Sequence, residues 1–268
     1  MSLLLRAGEW EEVTPAIGGW SYLSFRVLRL DGRTSLDTGE DEVVVVPLTG
    51  DAAVQADGVE AEVGGRASVF AGLPRSLYLP RDTHAELEGN AELALCAARA
   101  DRRLEVRPIP PEEVDIEVRG SGNATRQINH IVKPEFPAER LLVVEVFTPA
   151  GNWSSYPPHK HDEAHAPDEV VLEETYYYRT ARPEAFAFQR LYSPSRGVDE
   201  SVTVRDGDLM LVPWGYHTTA AAHGYDLYYL NALAGDVRSM ASADDPDLHW
   251  VRAAWSEMEP DPRVPLVR

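Results

Sequence analysis

GNWSSYPPHKHD, residues 151–162, places two histidines one residue apart directly after a Pro-Pro pair. In a β-strand residues i and i+2 face the same side, so His159 and His161 aim their imidazoles at one point while Lys160 alternates away. That is the arrangement of two ligands to one metal ion. A third ligand is expected from a neighbouring strand, and LEETYYYR (172–179) offers carboxylates at the mouth of a strongly β-forming run. A fourth is expected from LVPWGYHTT (211–219), where His217 follows a Pro-x-Gly turn. Imidazole nitrogens with one carboxylate oxygen suit zinc, iron, manganese, nickel or cobalt. Sites of this kind that keep open positions are generally catalytic rather than structural.

Working outward, the chain is built of short β-rich runs separated by turn residues. Before residue 100 these are SYLSFRVLRL (21–30), DEVVVVPL (41–48), AAVQA (52–56), ASVFAG (67–72), SLYLP (76–80) and AELALCAAR (91–99). Prolines at 108, 110 and 111 and the Gly120 to Gly122 turn then break regular structure. The pattern resumes with RQINHIV (126–132), RLLVVEVFTP (140–149), ETYYYRT (174–180), AFAFQRLYS (185–193), ESVTVRDGD (200–208), LMLVPWG (209–215) and YDLYYLNALAG (225–235). Runs of this length and spacing predict an all-β protein of two barrels, residues 1–120 and 121–268. The acidic, Trp-containing end from about Asp244 reads as a helix or an arm.

Length and composition bound the rest. The 268 residues suffice for one large all-β domain or two of about 130 residues each. Apolar residues make up 44% and charged residues 26%, so a folded globular chain is expected. Forty-four acidic against 25 basic residues give a net charge of -19, which repels phosphate backbones and anionic membranes and argues against nucleic-acid or membrane partners. The opening MSLLLRAGEWEEV is too short in its apolar run for a signal peptide, and no stretch reaches about 18 apolar residues; a cytoplasmic protein is expected. The single cysteine, Cys96, excludes an internal disulfide and reads as core packing.

His-x-His, then Glu, then Pro-x-Gly-x-His about forty residues later resembles the metal-binding signature of cupins. A narrower resemblance rests on GNWSSYPPHKHD (151–162), EETYYYR (173–179), FQRLY (188–192), DGDLMLVPWGYH (206–217) and GYDLYYLNALAG (224–235). Together these are similar to the 5-deoxy-glucuronate isomerases of bacterial inositol catabolism, a bicupin family. The related 4-deoxy-L-threo-5-hexosulose-uronate ketol-isomerases share the metal pattern with a shorter loop. The resemblance implies two cupin barrels of the double-stranded β-helix or jelly-roll type. It implies one divalent metal, zinc first, on His159, His161, Glu174 and His217, and it selects Glu174 over Glu163, Glu169 and Glu173 because the ligand directly precedes an aromatic run. The first half, with only a faint echo at His84 and no His-x-His, is then a metal-free barrel for packing or self-association into a homo-oligomer.

The reaction so implied is the aldose-to-ketose conversion of 5-deoxy-D-glucuronate into 5-dehydro-2-deoxy-D-gluconate. It needs no redox cofactor, since a Lewis acid that holds the carbonyl and hydroxyl oxygens acidifies the C–H bond and a side chain moves the proton. Tyr176 and Tyr178 share a strand face with Glu174 and are candidates to line the pocket. A guanidinium is the natural partner of the substrate carboxylate, and Arg179, Arg190 and Arg126 are the candidates. Lys160 reads as solvated or as touching the ligands from behind. His165 reads as exposed, and His130, His223 and His249 as structural. Asp226, Tyr228 and Asn231 divide between supporting the site and packing. Two rivals use the same barrel: a cupin dioxygenase and a non-catalytic sugar-binding bicupin.

Overall fold

The computed structural model describes residues 3–268. Its first part runs through β1 (Leu4–Leu5), β2 (Glu12–Val13), β3 (Leu23–Asp37), β4 (Asp41–Ala56), β5 (Val59–Arg66), β6 (Ser76–Leu79), β7 (His84–Arg99) and β8 (Arg107–Ile109). There follow β9 (Asp115–Arg119), β10 (Arg126–Val132), β11 (Leu141–Thr148), β12 (Trp153–Lys160), β13 (Glu173–Thr180) and β14 (Ala187–Ser193). The series ends with β15 (Val198–Val204), β16 (Leu209–Val212), β17 (Tyr216–Ala221), β18 (Leu227–Ala234) and β19 (Ala243–Asp244). Two short helices accompany this series, α1 (Pro15–Gly18) between β2 and β3 and α2 (Trp250–Ala254) after β19. No helix among the described residues is long and apolar enough to cross a membrane.

The strands form three antiparallel sheets stacked as layers. The first sheet holds β2 through β8. The middle sheet has the order β1-β16-β13-β18-β11-β10-β9, and the outer one β15-β14-β17-β12-β19. Phe25, Val44 and Tyr78 of the first sheet share one core with Phe147, Tyr177 and Tyr228 of the middle sheet. The opposite face of the middle sheet, through Val144, Tyr176 and Tyr229, packs on Ala187, Leu191 and Ala221 of the outer sheet. The middle sheet is thus covered on both sides, which is why LLVVEVFT in β11 and LYYLNALA in β18 are buried along their whole lengths. In the first half, β4 carries Val43, Val45, Ala52 and Val54 into one separate core, so its long strands curl around their own apolar centre.

Strand pairing departs from the sequence reading in three places. Residues 67–72 were expected as a strand, but Val69–Ala71 is a 3-10 turn whose Phe70 ring wedges edge-on against Phe147 and Tyr228 between the halves. A strand not anticipated, β5, returns along β4 through Asp57 and Gly58, both at positive φ, the tight-turn pair that matches strand twist. The division at residue 120 does not coincide with the sheets. Strand β9 pairs with β10, and β1 crosses over to pair with β16, so the sheets divide at the proline-rich run.

Each half also holds the other through a carboxylate. Glu42, fully buried, accepts the backbone N–H groups of Glu139, Arg140 and Leu141 at 2.6 to 2.8 Å. In return Glu173 accepts those of Ser21, Tyr22 and Leu23. Beyond β18 the chain is an arm that carries the short helix α2: β19 joins the edge of β12, and Leu266 and Val267 donate their N–H groups to Gln127.

Candidate metal centre

The motif residues meet inside the second barrel because three strand segments end there. In β12 the register jumps from Ser154 opposite Thr219 to His159 opposite His217, so residues 155–158 bulge out across from Thr218. Two of those residues are prolines, which cannot donate to a ladder, and Ser155 takes a φ of 51°. The bulge re-aims the chain so that His159 and His161 arrive at the height of His217. On the facing strand, Gly215 adopts φ +87°, and a Cβ there would lie 2.8 Å from the Tyr192 carbonyl, so glycine alone fits. Its N–H donates to Asp162 and its carbonyl receives Nδ1 of His217 at 3.1 Å.

One ligand atom each from His161, Glu174 and His217 falls within 4.8 Å of the other two, and all three residues are buried. Nε2 of His161 lies 2.9 Å from Glu174 Oε2, and Nε2 of His217 lies 3.2 Å from the same oxygen. His159 stands one step out, with its ring centroid 4.6 Å from that of His217 and 6.2 Å from that of His161. The outer nitrogens are committed: Nδ1 of His161 meets the Leu172 carbonyl at 3.0 Å, and Nδ1 of His217 meets that of Gly215. A proton on each Nδ1 leaves a lone pair on each Nε2, and both lone pairs then face one carboxylate oxygen. Nε2 of His217 is fully buried without a hydrogen-bond partner. Three electron-rich atoms converging on one point fit a cation.

Electrostatics agree with the geometry. Burial pushes the Glu174 carboxyl up, but the imidazoles of His161 and His217 beside it outweigh burial and hold the group at about 2. For His161 burial acts downward, yet the adjoining Glu174 carboxylate raises it above its ordinary value. Burial, then the charges of His217 and His161, drive His159 well below its ordinary value.

The other acids near the site are occupied elsewhere, which separates Glu174 from its neighbours in the sequence. Glu173 points to the first half. Glu169 is held by Lys160 at 2.8 Å and by the N–H groups of Asp162 and Glu163. Lys160 also pairs with Asp162 and Glu163. Glu163, His165 and Glu169 do form a second donor group, but Glu163 and His165 are exposed and Lys160 already neutralises the cluster.

Tyr176 packs edge-on against His217 with centroids 5.7 Å apart, and its hydroxyl lies 3.2 Å from Ser155 Oγ. Tyr178 stacks behind it, with its hydroxyl taken up by Gln189 and Thr219. Two expected residues are elsewhere. Arg179 lies on the opposite face of β13, pairing with Glu92 of the first half and with Asp206, because its parity along the strand is that of Glu173. Arg190 lies on the outer face of β14, pairing with Asp199 and covering the Tyr192 ring, because Gln189 and Leu191 take the inner positions. Asp226 caps the Ala150 N–H, Tyr228 donates to Glu145 between the halves, and Asn231 donates to the Thr175 carbonyl. Sequence reasoning missed Tyr229, Ser154 and Ser155. The Tyr229 hydroxyl lies 2.5 Å from Ser154 Oγ and 3.4 Å from Ser155 Oγ, and the two-residue spacing that puts Tyr229 on the same strand face as Leu227 was the available signal.

A sequence model of the KduI/IolB family matches residues 4–251. The 5-deoxy-glucuronate isomerase of Geobacillus thermodenitrificans is 44% identical over 250 residues, 91% of this chain and 91% of its own. That of Bacillus subtilis strain 168 is 38% identical over 247 residues, covering 90% and 91%. The solved structure of an IolB-like protein from Salmonella typhimurium superposes with a TM-score of 0.90 at 37% identity, over 94% of this chain and all of that one. Bacillus subtilis oxalate decarboxylase, studied for its Mn(II) centres, superposes with a TM-score of 0.60 at 15% identity over 87% of this chain and 74% of that one, a likeness of cupin fold alone.

Proposed function

Because the chain belongs to the KduI/IolB family, we propose that its second barrel isomerises 5-deoxy-D-glucuronate to 5-dehydro-2-deoxy-D-gluconate, as a metal-dependent aldose-ketose isomerase of inositol catabolism. The observation that carries the reading is the convergence of His161, Glu174 and His217 on one buried point, with imidazole lone pairs turned inward. These three residues would hold the ion, with His159 as the fourth ligand within reach. Nitrogen and carboxylate donors suit a first-row divalent cation, with zinc the first to test and manganese, iron, nickel and cobalt sharing the same donor preference. Such a cation supplies a Lewis acid for the neighbouring carbonyl and hydroxyl oxygens of the sugar, acidifying the carbon-bound proton between them.

The chain's own residues named here move the oxygen-bound proton. In this reaction a proton leaves C2 and one arrives at C1, while the O–H proton changes oxygen. Tyr176 is the group placed for that exchange. Burial and the nearby Glu174 charge push its phenol well above its ordinary value, so Oη keeps its proton and acts as a donor to the sugar's oxygens. Ser155 Oγ and Tyr229 Oη form the chain of hydroxyls behind it, along which the proton is exchanged. The Tyr176, Tyr178 and Tyr229 rings close the interior on this side and exclude water.

The test is elemental analysis of the purified protein together with an assay on 5-deoxy-D-glucuronate under strict anaerobiosis. His161→Ala is expected to lose both the metal and turnover while remaining folded by circular dichroism. Turnover that requires oxygen would move the assignment to a dioxygenase. Sugar binding without turnover in the metal-replete wild type would leave a binding protein.

A further inference from the structure

We propose that Arg126 is the residue that receives the carboxylate of the sugar acid. The identity of the sugar rests on the isomerase reading; the preference for a carboxylate at this position does not. Arg126 opens β10 on the same face as Ile128, which lies in the core formed with Tyr176 and Tyr229. It is 4% exposed. No carboxylate lies within ion-pair distance of it among the described residues; its only hydrogen bonds are long ones from Nη1, at 3.3 Å to the Ala124 carbonyl and 3.4 Å to the Tyr156 carbonyl. Nε and Nη2 donate to nothing among the described residues. The contrast is Arg66, equally buried, whose charge is met by Glu145.

A guanidinium without a carboxylate partner in a protein interior is costly. Arg126 has only the Trp255 ring against its face, at 5.9 Å, and the acid whose charge reaches it, Glu117, is already bonded to Arg119 and His130, so the fork is left for something else. Burial, with the like charges of Arg119 and Arg252, lowers the guanidinium from its ordinary value to about 10, and it stays cationic at neutral pH. The location fits the substrate. Tyr156 belongs to the bulge that carries the chain from Ser155 to His159, so the guanidinium borders the same strand that supplies the histidines. Its charge is felt by both His159 and Tyr229. A hexuronate carries its carbonyl at C1 and its carboxylate at C6. With C1 and C2 at the His/Glu trio, a sugar acid lying along the β12 bulge would present its C6 end to this planar fork, which suits a carboxylate bound in bidentate fashion.

The experiment titrates metal-replete wild type, Arg126→Met and Arg126→Lys with D-glucuronate and with D-glucose by calorimetry, then measures kcat and KM on 5-deoxy-D-glucuronate. Wild type is expected to prefer glucuronate. Arg126→Met is expected to lose that preference and about 100-fold in kcat/KM, chiefly through KM, with metal content unchanged. Arg126→Lys, which keeps the charge and loses the fork, is expected to fall between, about tenfold down. A structural role would instead lower the melting temperature and leave the glucuronate preference intact, and that result overturns the proposal. Should Arg126→Met not fold, an Arg126→Lys protein with wild-type KM and preference overturns it equally. Failure of wild type to turn over 5-deoxy-glucuronate would count against the isomerase reading, while the glucuronate and glucose titrations still decide the role of Arg126.

Discussion

Tyr176 and Tyr178 are two residues apart on one strand face and equally buried, yet their hydroxyls have different environments. That of Tyr178 is spent on Gln189 and Thr219, whereas that of Tyr176 has only Ser155 Oγ at 3.2 Å and looks across the ring of His217. Removing one oxygen by Tyr176→Phe keeps the ring packed against His217 and takes away the proton donor. We expect kcat to fall by about 100-fold or more, the usual contribution of a positioned proton-transfer group, with metal content and melting temperature held. Steady-state kinetics beside elemental analysis measure this. A kcat close to wild type would reduce Tyr176 to packing. Tyr178→Phe serves as the companion, because loss of its buried hydrogen bonds is expected to lower stability more than kcat.

Strand β13 shows how much a two-residue period decides. Glu174, Tyr176 and Tyr178 face the barrel interior, while Glu173 and Tyr177 face the first half. The same parity places Arg179 with Glu173 and rules it out as a carboxylate anchor, a conclusion available from the sequence once Glu174 is taken as inward. Its guanidinium joins Glu92 of the first half at 2.5 Å and Asp206 at 3.1 Å. Arg179→Gln is therefore expected to cost about 1–3 kcal/mol in a denaturant titration, as for a lost charged hydrogen bond, with KM for the sugar acid unchanged. A raised KM at wild-type stability would return Arg179 to the site. Other features were legible for equally local reasons. The His-x-His pair and the glycine before His217 are each set by neighbours a few residues away, and the Asp57-Gly58 hairpin, which was overlooked, is equally local. What was not legible depends on distant parts of the chain. The family resemblance selected Glu174 over Glu173, but the physical reason, the N–H groups of residues 21–23 that claim Glu173, lies far along the chain, and that Arg126 lacks a carboxylate partner is visible only when every acid has been placed. The 69–71 turn read as a strand because its apolar residues are buried between sheets, which composition cannot distinguish from burial within one.

At the scale of the whole molecule the two halves are one cooperative structure. Their shared core runs from Phe25 and Tyr78 to Phe147 and Tyr228, the Glu42 and Glu173 clamps act in opposite directions, and at the centre lies an ion pair with no exposed side-chain surface, Arg66 with Glu145. Glu145 also accepts from Tyr228, and Arg66 also donates to the Pro47 carbonyl, so both charges are paired and hydrogen-bonded. Glu145→Gln keeps the shape of the side chain and leaves a buried cation uncompensated, which is expected to cost about 3–5 kcal/mol. Because the pair bridges the first and middle sheets, that loss should fall on both halves at once. Calorimetry should show one transition displaced to lower temperature, coincident when followed by aromatic circular dichroism. Two separated transitions in the wild type would mean that the shared core does not couple the halves. Replacing Arg66 and Glu145 together by Met and Leu should be less damaging than Glu145→Gln alone, because the penalty arises from the charge left behind rather than from the bond removed.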